Sequence, residues 1–265
     1  MINICIIVVI YNKKINNIAS WEVFYDYFKK EKLKLVIIDN SVEKNIYTQN
    51  IAFLNHLKYK PIYISNKQNN GISKAYNLGI NQVESDWYLF ADDDTTFSAT
   101  YLDNVLIEIK GSYNVSLCGV IKANNMPFSP CGNKPFMFYP KKYLIKPGKY
   151  KNIYAVNSGL VVSRKTLYKV GLFDERLFLD MVDYNFMESL KRLGCNNFKV
   201  LDGEITQNFS ANEFQSLNNT LKRYKIFKTD MHTFCVINNY PKILGALLIS
   251  KRFIGILLRS FLNYI

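Results

Sequence analysis

With 265 residues, 49% of them hydrophobic, the chain can build one large domain, or one domain with an appendage, around a sizeable core. It has no low-complexity tract or internal repeat, which excludes a disordered or fibrous protein. A formal net charge of +13 calls for anionic partners, whether nucleic acid, anionic lipid or phosphorylated substrate. The five cysteines (Cys5, Cys118, Cys131, Cys195, Cys235) are scattered, odd in number and form no C-x-x-C pair, so reduced, buried thiols are expected. The apolar run at 4–10 has no basic residue before it and no small-residue cleavage site after it. It does not read as a signal peptide, and a cytoplasmic location is expected.

Taken in order, residues 4–10 form a β-rich run closed by Tyr11-Asn12, a first buried strand ending in a polar turn. Ile18, Trp21, Phe24, Tyr25 and Phe28 recur at helical spacing and predict a helix over 16–30. Residues 35–38 predict a second buried strand ending in Asp39-Asn40-Ser41, a carboxylate at a strand's carboxyl end. A third strand is read over 59–65, then a turn at Asn69-Asn70-Gly71. A helix over 72–83 follows, with Ala75 and Gly79 on a close-packing face.

The next stretch is the most informative. Trp87 to Ala91 is apolar and aromatic without alternation, as in a strand buried on both faces, and it runs directly into Asp92-Asp93-Asp94. Unpaired carboxylates inside such a sheet would cost several kcal/mol each. They therefore belong at the strand's carboxyl end, where open α/β sheets bind ligands. Gathered there they repel one another, and a hard divalent cation is the usual means of neutralising them. The order β-α-β-β-α-β predicts a mostly parallel sheet with its functional loops on one edge.

Beyond it, a helix is predicted over 101–109 and a strand over 115–121. Residues 124–150, rich in Pro, Gly, Lys and aromatics, read as an inserted loop or hairpin of the kind that shapes a substrate site. A strand over 154–162 carries Asn157-Ser158-Gly159, and Ser163 is an N-cap for a short helix ending near Gly171. Phe186, Leu190 and Leu193 predict a helix over 181–193 with Gly194 as its stop, which places Asp180 and Asp183 in the first turn. Capping is the better local account of Asp180. For Asp183, capping and a general-base role stand level.

Read together, these stretches resemble a family 2 glycosyltransferase of the GT-A fold, close to its rhamnosyltransferase-like branch. The resemblance rests on Val8-Val9-Ile10-Tyr11-Asn12, Ile37-Ile38-Asp39-Asn40-Ser41, the run Asn70 to Gly79, Phe90 to Asp94, Asn157-Ser158-Gly159, Gly171 to Glu175 and Phe178 to Tyr184. It covers residues 1–200 and not the tail. It implies an α/β GT-A domain over 1–210, with a nucleotide-sugar half at about 1–97 and an acceptor half at about 98–210, followed by a helical tail over 211–265.

By that resemblance Tyr11, Asn12, Asp39, Asn70, Gly71, Lys74, Asp92 and Asp93 would bind the nucleotide-sugar. Asp94, with Asp92, would hold a Mn²⁺ or Mg²⁺ ion on the diphosphate. Asn157, Ser158, Gly159 and Asp180 would face the acceptor. Asp183 matches the catalytic base of inverting members, and a helix N-terminus would keep its pKa low. The implied donor is a UDP- or dTDP-sugar, with dTDP-rhamnose first and UDP-hexoses or galactofuranose open. The implied acceptor is a glycan in bacterial surface polysaccharide synthesis. Many relatives place a His in the stretch that here reads Gly203-Glu204-Ile205-Thr206-Gln207-Asn208-Phe209-Ser210. Gln207 or Asn208 can donate to a phosphate there, but neither is a strong Mn²⁺ ligand. His56 and His232 sit elsewhere and read as structural or surface residues.

From Leu217 onward, eight basic residues face the single acid Asp230, and two apolar blocks at 243–249 and 253–258 are divided by Lys251-Arg252. Neither block reaches the roughly 20 apolar residues that a membrane span needs. The tail is read either as an interfacial helix on an anionic membrane or as a helix packed on the domain or on a second copy of the chain. Membrane contact is slightly favoured, because acceptors in the family are often lipid-linked. Three rivals stand beside the glycosyltransferase. Asp92-Asp93-Asp94-Thr95-Thr96 fits the D-x-D-x-T of a haloacid dehalogenase-type phosphatase with Asp92 as nucleophile, but that motif usually opens its domain. A basic nucleic-acid module lacks any supporting signature, so no nucleic-acid partner is expected. An inactive scaffold would have little use for all three of Asp92, Asp94 and Asp183.

Overall fold

The computed structural model describes residues 3–111, 114–208 and 217–262. Phe209, Ser210, the last three residues and the side chain of Arg259 lie outside the described residues. Strand β1 (Ile4–Ile10) lies between β2 (Lys34–Asp39) and β4 (Trp87–Asp92), parallel to both. In this register Ile10 pairs with Asp39 and Val9 with Asp92, so the carboxylates of two strands arrive at one edge of the sheet. β3 (Ile62–Ser65) extends the parallel side beyond β2.

The other side is mixed. β9 (Val161–Ser163) runs antiparallel to β4 and touches β6 (Ser116–Ala123), which is parallel to β10 (Asn197–Gln207). β5 (Thr95–Phe97) closes the far end against β10, giving the order β3-β2-β1-β4-β9-β6-β10-β5. Only Asp93 and Asp94 separate β4 from β5 in the chain, yet three strands separate them in the sheet. The link closes because the sheet curls, and the curl carries Gln207, opposite Thr95, to the end of β4. β7 (Met126–Ser129) folds back on β6 and β8 (Gly148–Lys151) pairs with β10, so the 124–150 region contributes two short strands around a loop.

Alternate residues of the strands feed two cores. On one face Ile6, Val8, Ile37, Trp87 and Leu89 pack with Trp21 and Phe24 of α1 (Trp21–Lys29) and with Tyr101 and Val105 of α4 (Ala99–Glu108). On the other Ile7, Val36, Ile38, Tyr88 and Phe90 pack with Ala75, Tyr76 and Ile80 of α3 (Ile72–Gln82) and with Phe186 and Leu190 of α6 (Val182–Arg192). Phe227, Met231 and Phe234 of α7 (Leu217–Ile237) and Leu248 of α8 (Lys242–Leu262) join this second core. The tail therefore packs on the domain along one side of its helical hairpin. All five cysteines are free thiols, and four of them are buried.

Three sequence expectations are corrected. Helix α2 (Lys44–Asn55) was not anticipated, because its apolar residues are bunched at 46–47 and 51–54 with only a weak helical period, and of its twelve residues only Asn50 and Leu54 are buried. It supplies the crossover that makes β3 parallel to β2. The strand expected over 154–162 shrinks to β9. Gly159 at φ +80° and the bond from Leu160 N to Asn157 O turn the chain, and Tyr154 keeps only an isolated bridge to Cys131. Helix α6 begins after Met181 at φ 62° with no side-chain cap, so Asp180 does not cap it. The short helix α5 (Arg164–Val170) has the expected ends: Ser163 accepts from Thr166 N, and Gly171 is left-handed.

Candidate active site

Asp92 is the last residue of β4. Its carboxylate accepts a 2.9 Å bond from Tyr76 OH, and its backbone N–H donates to Ser158 Oγ. Burial, followed by the nearby charges of Asp94 and Asp183, pushes its pKa up to about 8. Asp94 is also raised, chiefly by burial, against the bond it accepts from Gln207 Nε2 at 3.1 Å. Asp93 has other partners: Lys13 Nζ at 2.7 Å and the backbone N–H of Tyr11. Of the three consecutive acids Asp93 is ion-paired with Lys13, and among the described residues Asp92 and Asp94 form no ion pair with a lysine or arginine.

Asp183 lies in the first turn of α6 and accepts from the backbone N–H of Asn157 at 3.3 Å. Burial raises its pKa to about 7, and the Asn157 bond only partly opposes this. The low pKa expected from the helix N-terminus is thus overturned, because removal from water outweighs the helix dipole here. Asn157 itself is buried, and among the described residues neither polar atom of its side-chain amide has a hydrogen-bond partner. Such a group is costly unless a ligand or water completes it.

On the nucleotide side, Tyr11 is 49% exposed at the lip of β1. Asn12, at φ 48°, donates its N–H to Ser41 Oγ and accepts from Val42 N. Gly71, at φ +83°, lies so close to the chain at Phe178 that a Cβ would stand 2.6 Å from the Phe178 carbonyl. Asn70 is half-buried beside it, and Lys74 is exposed on the first turn of α3.

Other predicted contacts are engaged by groups within the protein. Asp39 has no exposed surface. One oxygen accepts from Ser41 N, the other from Asn50 Nδ2 and Tyr63 OH, so the carboxylate is engaged within the protein and braces the β2 loop. Ser158 and Gly159 are buried beneath the acids: Ser158 Oγ receives Asp92 N and donates to Thr95, and the Gly159 carbonyl receives Tyr101 OH. The Asp180 carboxylate is taken by Arg223 and Arg252. Sequence reading missed Tyr76, Lys13 and the pairing of Gln207 with Asp94. For Tyr76 the signal was present, since it sits one residue after Ala75 on the inward face of α3.

Asp92 and Asp94 are hard oxygen donors at the right edge of the sheet for a divalent cation. Among the described residues no group of three or more His, Cys, Asp or Glu side chains is arranged to hold a metal. An ion of the Mg²⁺ type usually takes one or two carboxylates and completes its shell with substrate phosphate and water.

A curled, half-parallel sheet with paired carboxylates at the end of its fourth strand is the GT-A architecture. The model of glycosyl transferase family 2 matches residues 5–174. The chain belongs to that family, which sets aside the phosphatase reading of Asp92. It is similar to the dTDP-rhamnosyl transferase RfbF of Shigella flexneri, at 25% identity over 211 residues, which cover 75% of this chain and 65% of that protein. The chain thus spans just under two thirds of this curated relative. Among solved structures it resembles GalNAc-T7 with UDP, GalNAc and Mn²⁺, at TM-score 0.66 and 12% identity over 88% of this chain and 47% of that one. It also resembles residues 1–349 of S. aureus TarS in complex with UDP-GlcNAc, at TM-score 0.59 and 15% identity over 94% and 71%.

Proposed function

We propose that the chain is an inverting, metal-dependent glycosyltransferase that moves a sugar from a UDP- or dTDP-sugar to a glycan hydroxyl in bacterial surface polysaccharide synthesis. The rhamnosyl relative makes dTDP-rhamnose the first donor to test. The observation that carries the reading is the meeting, at one sheet edge, of the buried acids Asp92 and Asp94 with Asp183 from a separate helix. In this reading residues 1–97 hold the donor and 98–210 the acceptor. Tyr11 and the Gly71 turn line the nucleotide, and the free amide of Asn157 meets the acceptor.

Asp183 deprotonates the attacking hydroxyl as it closes on the anomeric carbon from the face opposite the diphosphate. A base with pKa near the working pH is well matched to that transfer. Asp94 and Asp92 would hold the cation, which supplies charge stabilisation to the departing nucleoside diphosphate. Tyr76 fixes the rotamer of Asp92, and Gln207, in the stretch where many relatives carry a His, fixes that of Asp94.

Calorimetric titration of UDP and of dTDP, each with and without Mn²⁺, tests this. One of the two is expected to bind, and only with the metal. If neither nucleotide binds under any condition, the reading fails.

The tail extends it. No described helix is long and apolar enough to cross a membrane. Ile243, Leu247, Ile254, Leu257 and Leu258 nevertheless lie exposed along one side of α8, a helix without a single acid. Lys251 sits at the rim of this face, over the ring of the exposed Phe138. An apolar stripe edged by lysine and aromatic residues fits an anionic lipid surface better than a second, equally basic copy of the chain. The site would then lie at the inner face of the plasma membrane. Sedimentation with vesicles is expected to need anionic lipid and to be lost in Leu247→Glu/Leu258→Glu. Equal binding of that variant would remove the membrane from this account.

A further inference from the structure

Asp230 is the only acid from Leu217 onward and is 1% exposed within an otherwise basic and apolar hairpin. A carboxylate is a costly choice for a buried helix face, and an apolar residue of similar size would pack there at less cost. Its partners explain it. Asp230 Oδ1 accepts from Phe178 N at 3.0 Å, and Oδ2 accepts from Leu179 N and Asp180 N, both at 2.8 Å. Three charge-assisted bonds to three successive amides hold that tripeptide in one shape.

The side chain of the same tripeptide is gripped as well. Arg223, seven residues before Asp230 on α7, and Arg252 of α8 both bind the carboxylate of Asp180, and the Arg252 guanidinium stacks 4.2 Å from the Phe227 ring. On its other side the segment meets the nucleotide half: the Phe178 carbonyl accepts from Ile72 N at 2.7 Å and covers Gly71. Met181 then turns at positive φ, and α6 begins with Asp183 in its first turn.

We propose that Asp230, with Arg223 and Arg252, is a positioning device by which the C-terminal hairpin sets the placement of Asp183 relative to the Gly71 turn. This rests on the reading of Asp183 as the base. It gives the tail, which lies beyond the residues matched by the family model, a part in the reaction. A misplacement of a base by a fraction of an ångström is enough to slow transfer without weakening donor binding.

Asp230→Asn is the direct test, since the amide keeps the shape but loses one acceptor oxygen and turns an N–H group on the amides it should receive. Amide exchange over 178–183 is expected to accelerate by about tenfold or more, because these bonds set the local opening. Nucleotide binding with Mn²⁺ should keep its stoichiometry and an affinity within about threefold. Turnover at saturating donor, read as release of nucleoside diphosphate, should fall by about ten- to a hundredfold, the scale of a misaligned reacting group. Lys228→Ala, exposed on the same helix, should change none of these.

Faster exchange with full turnover would overturn the positioning role, and unchanged exchange over 178–183 would overturn the strap itself. Should Asp230→Asn fail to fold, Arg223→Gln/Arg252→Gln leaves the backbone clasp intact and must still show both faster exchange and lower turnover. A wild type that binds no nucleotide would sink the proposed function alone, and the exchange result would still decide the strap.

Discussion

Replacing Asp183 by Asn is expected to lower turnover by at least about a hundredfold, the scale of a lost general base, while nucleotide binding stays near the wild-type value. The amide fills the same space, and its oxygen can still accept from the Asn157 N–H, so the local geometry has no reason to change. What disappears is the ability to take a proton. In the wild type the carboxyl titrates at about 7, so the rate should rise with pH through about 7 and level off above it. The residual rate of the variant should lose that inflection.

Stability should move the other way. The folded pKa lies above the ordinary value of 3.8, so the folded state binds more protons than the unfolded chain between about 4 and 7. Ionised Asp183 is therefore a destabilising charge above that window, and stability is lost as pH rises through it. The Asn variant carries no such charge and should melt no lower than the wild type at pH 8. A large fall in melting temperature alongside the lost rate would instead mark Asp183 as a structural residue.

How much of this could be read from the chain depends on whether a residue's role is set by its neighbours in sequence or by distant packing. The parallel strands were legible because Trp87 to Ala91 and the 4–10 run are apolar without alternation, a pattern that needs both faces covered. Helix α2 was not, since its apolar residues are bunched at 46–47 and 51–54 and show only a weak helical period. Asp39 and Asp92 look alike in sequence, each an acid closing a buried strand. Folding separates them: Tyr63 and Asn50, from two other elements, saturate Asp39, whereas Asp92 receives Tyr76 and otherwise meets further acids. The pKa of Asp183 was misread for a related reason. Helix position is local and visible in the sequence; burial under the 154–160 turn is not. Asp230 was legible only as an isolated acid, and its three backbone partners are 50 to 52 residues away.

Asp94→Ala is expected to abolish Mn²⁺-dependent nucleotide binding altogether. In the wild type the nearby charge of Asp94 helps to raise the proton affinity of Asp92, a repulsion that a divalent cation relieves. Removing Asp94 takes away one ligand, and it also takes away part of the reason the site attracts a cation. The consequence for stability again has a definite sign. Without metal the Ala variant should be at least as stable as the wild type at pH 8, since a buried charge and its repulsion of Asp92 are gone. With Mn²⁺ and nucleotide the order should reverse. Wild type at roughly a hundred times Kd should gain about 2.7 kcal/mol by linkage, visible as a rise in melting temperature, and the variant should gain nothing. The contrast with Asp183→Asn is the decisive comparison. If Asp94 anchors the donor through a metal and Asp183 only moves a proton, the first variant loses binding and the second loses turnover. Loss of nucleotide affinity to the same degree in both would mean that the acids act as one electrostatic unit, and the division of roles would fall.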